Sequence, residues 1–296
     1  MFIRHRESNE VVIDAPAKVN LFLEVLNKRP DGYHNINSLF QTVSLFDRLH
    51  FTPVPKPGIS IHLETDVELP VGEDNLVAKA YRLMKERFTL DRGLVVKLEK
   101  RIPISAGLGG GSSDGAAALS ACSLLFNLGL RSPQMAELSL ALGSDLPFFF
   151  SSGQALVSGQ GEVIEETGYP TDYSMILVTP DIALSTAASY AALKRGLTSS
   201  KSRFRLPCCR TVEDLVGSLR LAGNDFEEVH LRSFPELGRI KDELLKRGAL
   251  LARMTGSGPT MFGIFKETAR TEVDKMFNRG DWRVHTVEPI SPAGQE

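Results

Sequence analysis

Four glycines fall within five positions in the segment Pro103-Ile104-Ser105-Ala106-Gly107-Leu108-Gly109-Gly110-Gly111-Ser112-Ser113, between a strand-like stretch and an alanine-rich one. Glycine lets a backbone approach a ligand closely and adopt positive φ without a steric cost. A helix starting just behind such a run presents unpaired N–H groups and the positive end of its dipole, the chemistry that binds phosphate. Ser112 and Ser113 add hydroxyls for phosphate oxygens or a metal ion. The run is not a Walker A loop: Gly110 and Gly115 have the spacing, but Ala116 stands where that motif needs lysine. The dinucleotide pattern GxGxxG fails as well, because Gly107 and Gly109 are followed by Ser112.

Other groups sit in patterns that chemistry can use. Ala17–Val25 alternates, with Ala17, Val19, Leu21, Leu23 and Val25 on one strand face and Lys18, Asn20, Phe22 and Glu24 on the other. Lys18 and Asn20 thus point the same way, although a lysine on a polar face by itself reads as solvated. Asp145, in Gly143-Ser144-Asp145-Leu146-Pro147, reads by type as a cap after a helix. Asp31 and Gly32 make a turn, and behind them stand Tyr33 and His34, a ring able to stack on a pyrimidine and a ring able to hydrogen-bond its edge. Thr255-Gly256-Ser257-Gly258-Pro259-Thr260 is a second glycine loop, which also reads as a plain hairpin turn.

The elements that must position these groups are partly visible. Asp74 and Asn75 are expected to cap a helix at 76–88, and 94–102 reads as a strand running into the glycine loop. A helix is expected at 112–128, closed by Gly129, and another from Ser132-Pro133 to Gly143, with Ser132 as its cap. A strand at 39–43 precedes a proline-rich loop at 53–58. Strands are expected at 154–158 and 175–179, then a solvated polar insert, 198–210, that carries Cys208 and Cys209. Helices near 212–221, 236–247 and 267–278 and strands at 250–254, 260–265 and 282–287 complete the reading, with Asn224 taken as a helix cap. The mixture lacks a steady βαβ rhythm and points to the α+β class, with domains at 1–165 and 166–296.

Composition narrows the functional classes. The chain has 296 residues, 42% hydrophobic and 24% charged, so it can bury a sizeable core without staples. Lys plus Arg is 34 against 36 for Asp plus Glu, which gives no field for gathering nucleic acid. The 3 cysteines lack metal or disulfide spacing and suit a reducing, cytoplasmic setting. The 6 histidines form no HxxxH pair, so no protein-held metal site is expected. No apolar run reaches membrane-spanning length. An enzyme or a binding protein with a small-molecule partner, monomeric or homodimeric, is left.

The segment P-x-x-x-G-L-G-G-G-S-S resembles the phosphate loop of the GHMP kinases, and Ala15-Pro16-Ala17-Lys18-Val19-Asn20 and Gly143-Ser144-Asp145-Leu146-Pro147 are similar to further motifs of that family. The resemblance extends from Ala15 to about Phe265. It implies a two-domain fold with an N-terminal ribosomal-protein-S5-domain-2-like domain and a C-terminal ferredoxin-like α/β domain. It also implies ATP as phosphoryl donor on Pro103–Ser113, Mg²⁺ as cofactor, Asp145 as general base and Lys18 beside the acceptor hydroxyl. Asp31-Gly32-Tyr33-His34 is similar to the turn with which one branch of the family holds a cytidine moiety. By that likeness Asn20, Tyr33 and His34 contact the acceptor, with Thr186 and Tyr190 placed by spacing and Gly256, Ser257 and Gly258 on the second loop. A different acceptor, or a silent sugar-binding sensor on the same fold, are the competing expectations.

Overall fold

The structure, a computed structural model, describes residues 1–7, 9–64, 74–193, 202–266 and 282–291. The helix expected near 267–278 lies outside the described residues. Strands β1 (Phe2–Glu7), β2 (Glu10–Lys28) and β3 (His34–Val54) open a 7-stranded sheet in which β2 and β3 pair antiparallel along most of their length. β5 (Gly93–Glu99) pairs with one half of β3 and β6 (Gln154–Gly159) with the other, while β4 (Ile59–Glu64) lies parallel to β5 and β7 (Val163–Glu166) pairs with β6. A second, fully antiparallel sheet has the order β11 (Trp282–Val287), β8 (Tyr173–Pro180), β10 (Met261–Lys266), β9 (Leu251–Met254). The two mixed layers make this an α+β protein, as expected.

Helices α1 (Leu76–Phe88) and α2 (Gly110–Leu125) cover one face of the large sheet. Ala117, Ala118 and Ala121 of α2 and Val77, Ala80 and Met84 of α1 share a core with Ile13 and Phe51. The small alanines let α2 come close to the sheet, and that fixes where its N-terminus ends. Between the sheets, Val19, Leu21 and Phe22 meet Met175, Leu177, Phe262 and Ile264, joined by Leu215 and Leu219 of α5 (Val212–Leu221). The described helices α3 (Ser132–Ser139), α4 (Thr186–Ala192), α6 (Asp225–Ser233) and α7 (Pro235–Lys246) complete the shell.

Several local expectations need correction. The alternation in β2 breaks at a register shift between Asn20 and Phe22. Phe22 therefore joins Val19 and Leu21, while Leu23 and Val25 turn into a different cluster; a bulge inserts one residue and swaps the faces beyond it. β3 extends well past 39–43 and contains Pro53, which is tolerated because pairing with β2 ends at Phe51. Only Asn75 caps α1, accepting from Val77 N at 2.9 Å, whereas Asp74 pairs with Lys79. α2 starts two residues earlier than expected, at Gly110, and stops at Leu125, because Asn127 (φ 53) and not Gly129 makes the left-handed turn after it. Arg131, not Ser132, precedes α3, which ends at Ser139, short of Gly143.

Where it is described, the polar insert is mostly exposed, as expected, but three of its side chains turn inward. Phe204 packs edge-on against Phe22 at 5.1 Å, Leu206 and Cys209 are buried, and Arg203 pairs with Glu24 and Asp225. The apolar residues of 202–210 are Phe204, Leu206, Pro207, Cys208 and Cys209, which follow no period, yet Phe204 and Leu206 hold the segment against the core that β2 shares. Cys209 thus packs near Ser218 of α5, while Cys208 stays exposed. Residues 198–201 lie outside the described residues. Among the described residues, no helix is long and apolar enough to cross a membrane.

Candidate active site

A cleft of about 1590 Å³ opens between the glycine loop, the middle of β2 and the second sheet. Small-ligand sites usually occupy some 300–1,000 Å³, so this one has room for two reactants side by side. Its floor is built by interlocked loops. Lys18 N donates to Leu108 O at 2.9 Å, tying the strand to the glycine loop. Asn20 N donates to Thr255 Oγ1 at 2.9 Å, and Thr255 Oγ1 donates in turn to Gly107 O at 3.4 Å. Thr260 N reaches Ala106 O at 3.4 Å. Asn224, a helix cap as expected, also clamps the second loop by donating to Met254 O and Gly256 O at 2.7 and 2.8 Å.

Two glycines are required by this contact. Gly107 has φ +77, and a Cβ there would sit 2.4 Å from Thr255 O. Gly109 has φ +69, and a Cβ there would press on Lys18 Cγ at 2.9 Å. Gly107→Ala combines left-handed strain with a clash against backbone, and should destabilise the fold by about 2 kcal/mol or more. Chemical denaturation checks this; an unchanged midpoint would mean the loops can part freely.

The side chains of β2 converge as the alternation predicts. Lys18 is buried, and its Nζ donates to Asn20 Oδ1 at 2.7 Å, lies 4.4 Å from the Phe40 ring centre and meets Asp145 Oδ2 at 3.3 Å. Asn20 Nδ2 donates to Ser38 Oγ at 3.0 Å, which holds its amide in this orientation. Asp145 is half-buried, on the turn leading into a short 3-10 helix, Pro147–Phe150. It is no helix cap; it points at the ammonium in the cleft. The pair stands beside the N-terminus of α2, so one wall of the cleft combines a cation, a carboxylate and a dipole end.

At the other end, Tyr33 is 60% exposed at the mouth and His34 stacks on Tyr190 at 4.9 Å with an interplanar angle of 18°. Phe226 meets Tyr190 edge-on at 4.9 Å. Burial, and then the charge of Asp145, push the Tyr190 phenol up to about 12, so it remains a neutral donor. Burial and the nearby Lys28 charge hold the His34 imidazole below its usual value, so at neutral pH it carries one N–H and one lone pair. Thr186 Oγ1 and Ser257 Oγ lie 2.9 Å apart on the same wall.

Of the residues singled out from sequence, two stand back from the cleft. Ser113 is fully buried and its Oγ has no partner, and Gly258 lies behind the wall against Met254 and Leu184. Ser112, Gly256, Ser257 and the rest of the glycine loop line it. Sequence reasoning missed Lys100 and Asp114, which also line it. The available signal was a carboxylate directly behind Ser112-Ser113, in the helix that the glycine run opens; nothing local marks Lys100. Among the described residues, no three His, Cys, Asp or Glu side chains converge on a metal-sized site.

Comparison with known proteins agrees with this architecture. The signature of the GHMP kinases N-terminal domain matches residues 75–153, and that of the GHMP kinases C-terminal domain matches residues 208–280. The chain is 40% identical over 282 residues to 4-diphosphocytidyl-2-C-methyl-D-erythritol kinase of Syntrophotalea carbinolica, covering 94% of this chain and 98% of that one. It is 39% identical to the enzyme of the same name from Pelotomaculum thermopropionicum, covering 94% and 97%. A crystal structure of 4-(cytidine 5'-diphospho)-2C-methyl-D-erythritol kinase superposes with a TM-score of 0.74 at 31% identity, covering 94% and 98%. Homoserine kinase from Cytophaga hutchinsonii, at 16% identity, shares the fold with a TM-score of 0.73 over 98% of both chains.

Proposed function

The chain belongs to the GHMP kinases, and from that premise we infer that it transfers the γ-phosphoryl group of ATP to the 2-hydroxyl of 4-diphosphocytidyl-2-C-methyl-D-erythritol, a step in isoprenoid precursor biosynthesis. One observation carries the reading: the Lys18–Asp145 pair sits in one cleft between a phosphate-type glycine loop and the Tyr33-His34 turn. The triphosphate rests on Gly107–Ser112 and the N-terminus of α2, with Pro103–Ala106 as the approach to it. The cytidine end lies against Tyr33 and His34, near Tyr190, and Asn20, Thr186, Gly256 and Ser257 face the linking phosphates and the polyol. Because His34 already covers one face of Tyr190, the base stacks on Tyr33 while the imidazole reads its edge.

Phosphoryl transfer asks the protein mainly for positioning and charge stabilisation. Asp145 accepts the proton of the 2-hydroxyl as its oxygen bonds to the γ-phosphorus and the bond to the β-phosphate oxygen breaks, leaving ADP. The Lys18 ammonium, fixed by Asn20 and packed on Phe40, stabilises the developing alkoxide and keeps Asp145 aimed at it. Mg²⁺ when bound neutralises charge on the phosphates. Among the described residues no three acidic or imidazole side chains converge, so phosphate oxygens and water would supply most of its ligands, with the Ser112 hydroxyl of the cleft wall beside them. The separation of the two sheets, whose strands change over between Glu166 and Tyr173, supports the division into domains near residue 165. The cytoplasm, where ATP and reduced thiols coexist, is the compartment this reading requires, and free Cys122, Cys208 and Cys209 fit it.

The test is ADP release from the purified protein with ATP, Mg²⁺ and a panel of diphosphocytidyl-methylerythritol, mevalonate, homoserine and galactose. Turnover with the cytidyl acceptor alone is expected; turnover with another would keep the kinase and discard the cytidine assignment. His34→Ala should raise KM for the cytidyl acceptor about tenfold and leave KM for ATP within about twofold. Equal changes in both would contradict the division of the cleft.

A further inference from the structure

Against the glycine loop, with Lys100 and Asp114 reaching the cleft wall and Asp47 behind them, lies a buried charge cluster that the reaction scheme does not use. Lys100 Nζ donates to Asp114 Oδ2 at 2.9 Å and to Asp47 Oδ2, and all three side chains are at most 6% exposed. Asp47, on β3, also accepts from the backbone N–H groups of Arg101 and Ile102 at 2.6 and 2.9 Å, which holds the chain where β5 runs out toward the loop. Asp114 stands in the second turn of α2, and its Oδ1 has no partner. A Cβ on Gly110, the first residue of α2, would lie 3.2 Å from Lys100 Nζ. The ammonium therefore occupies the side of Gly110 from which a side chain would project, at the residue that opens α2.

Two carboxylates near the N-terminus of a helix oppose the binding of a polyphosphate there, since they occupy the favourable potential that the ligand needs. Burial, and next the charge of Asp47, push the Asp114 carboxyl well above the usual carboxylate range. Lys100 is raised too: burial works against its charge, but the charges of Asp114 and Asp47 outweigh it. The lysine is thus held charged while one of its partners gives up charge readily.

We propose that Lys100 is a positioning residue for the nucleotide: Asp47 and Asp114 fix its ammonium behind Gly110, where it cancels their charge and keeps the N-terminus of α2 attractive to the phosphates. The inference rests on ATP occupying the glycine loop, as argued above. It makes Lys100 a determinant of nucleotide affinity, not of the chemical step or of cytidine recognition.

The experiment is calorimetric titration of the full chain with ATP, alongside steady-state kinetics with the cytidyl acceptor. Lys100→Gln keeps hydrogen-bond donors between the two aspartates but removes the charge, and should weaken ATP binding at least about tenfold with the acceptor KM within about twofold. Lys100→Arg keeps the charge and should restore ATP affinity to within about threefold of the unaltered protein. Asp114→Asn, close to isosteric, should bind ATP as tightly or more tightly. Thermal unfolding shows which variants are folded; should Lys100→Gln not fold, Asp114→Asn carries the test, and weaker ATP binding by it overturns the proposal. Unchanged ATP affinity in folded Lys100→Gln, or an equal loss in Lys100→Arg, overturns it as well. Failure of the unaltered chain to bind ATP would instead remove the nucleotide reading itself.

Discussion

Asp145→Asn lowers kcat for the cytidyl acceptor about 10³-fold and leaves ATP affinity within about twofold; this is the largest effect the site predicts. The amide keeps the shape of the carboxylate and its reach to Lys18 Nζ, 3.3 Å away, but accepts no proton. In the proposed reading ATP rests on backbone N–H groups of the glycine loop and the α2 dipole, whereas Asp145 pairs with Lys18. Single-turnover kinetics with ATP in excess isolates the chemical step from product release. A variant that retains even a tenth of the original rate would move the base to another group and leave Asp145 as a partner that only orients Lys18.

The second large effect is expected from Lys18→Met. Methionine retains the length of the aliphatic stem that lies beside Gly109, but not the Nζ contact with the Phe40 ring. What is lost is the charge beside the developing alkoxide, which costs about 10²–10³-fold in kcat. Asn20 Oδ1 loses its donor in the same step, so a stability loss of about 1–3 kcal/mol accompanies it. The KM for ATP stays within about threefold. A variant whose kcat is intact but whose acceptor KM is raised would show that the ammonium binds substrate equally in ground and transition states. The two substitutions act on one ion pair, so their effects should not add: the double variant is expected to be little worse than Asp145→Asn alone.

Much of the site was legible because its signals are local. The glycine run reads as a phosphate loop from four glycines and the helix behind them, and the α2 N-terminus begins within that run. Lys18 and Asn20 share a face because a strand repeats every two residues, and their side chains touch. α5 and β11 agree with their expected bounds, since each has a clear period and a clear cap or turn. α4 has 7 residues, too few for a helical period to show, so the wall that carries Thr186 and Tyr190 was found by spacing alone. The insert at 202–210 reads as solvated because its apolar residues follow no period, yet Phe204, Leu206 and Cys209 are held by surfaces far away in the chain.

By itself, the order of residues determined which groups the chain carries: a glycine loop that opens a helix, a lysine and an amide on one strand face, a carboxylate on a turn and a Tyr-His pair behind another. Those properties follow from backbone freedom, strand period and side-chain type, all of which act within a few residues. Only the tertiary structure decided that Lys18 faces Asp145, that Asn20 N and Thr255 Oγ1, 235 positions apart, bind the two glycine loops into one floor, and that Lys100 sits between two aspartates behind Gly110. These pairings depend on strand register, on a one-residue bulge in β2 and on how closely the alanines of α2 approach the sheet. No segment encodes them, because each is set by the packing of surfaces that meet only when the whole chain is folded.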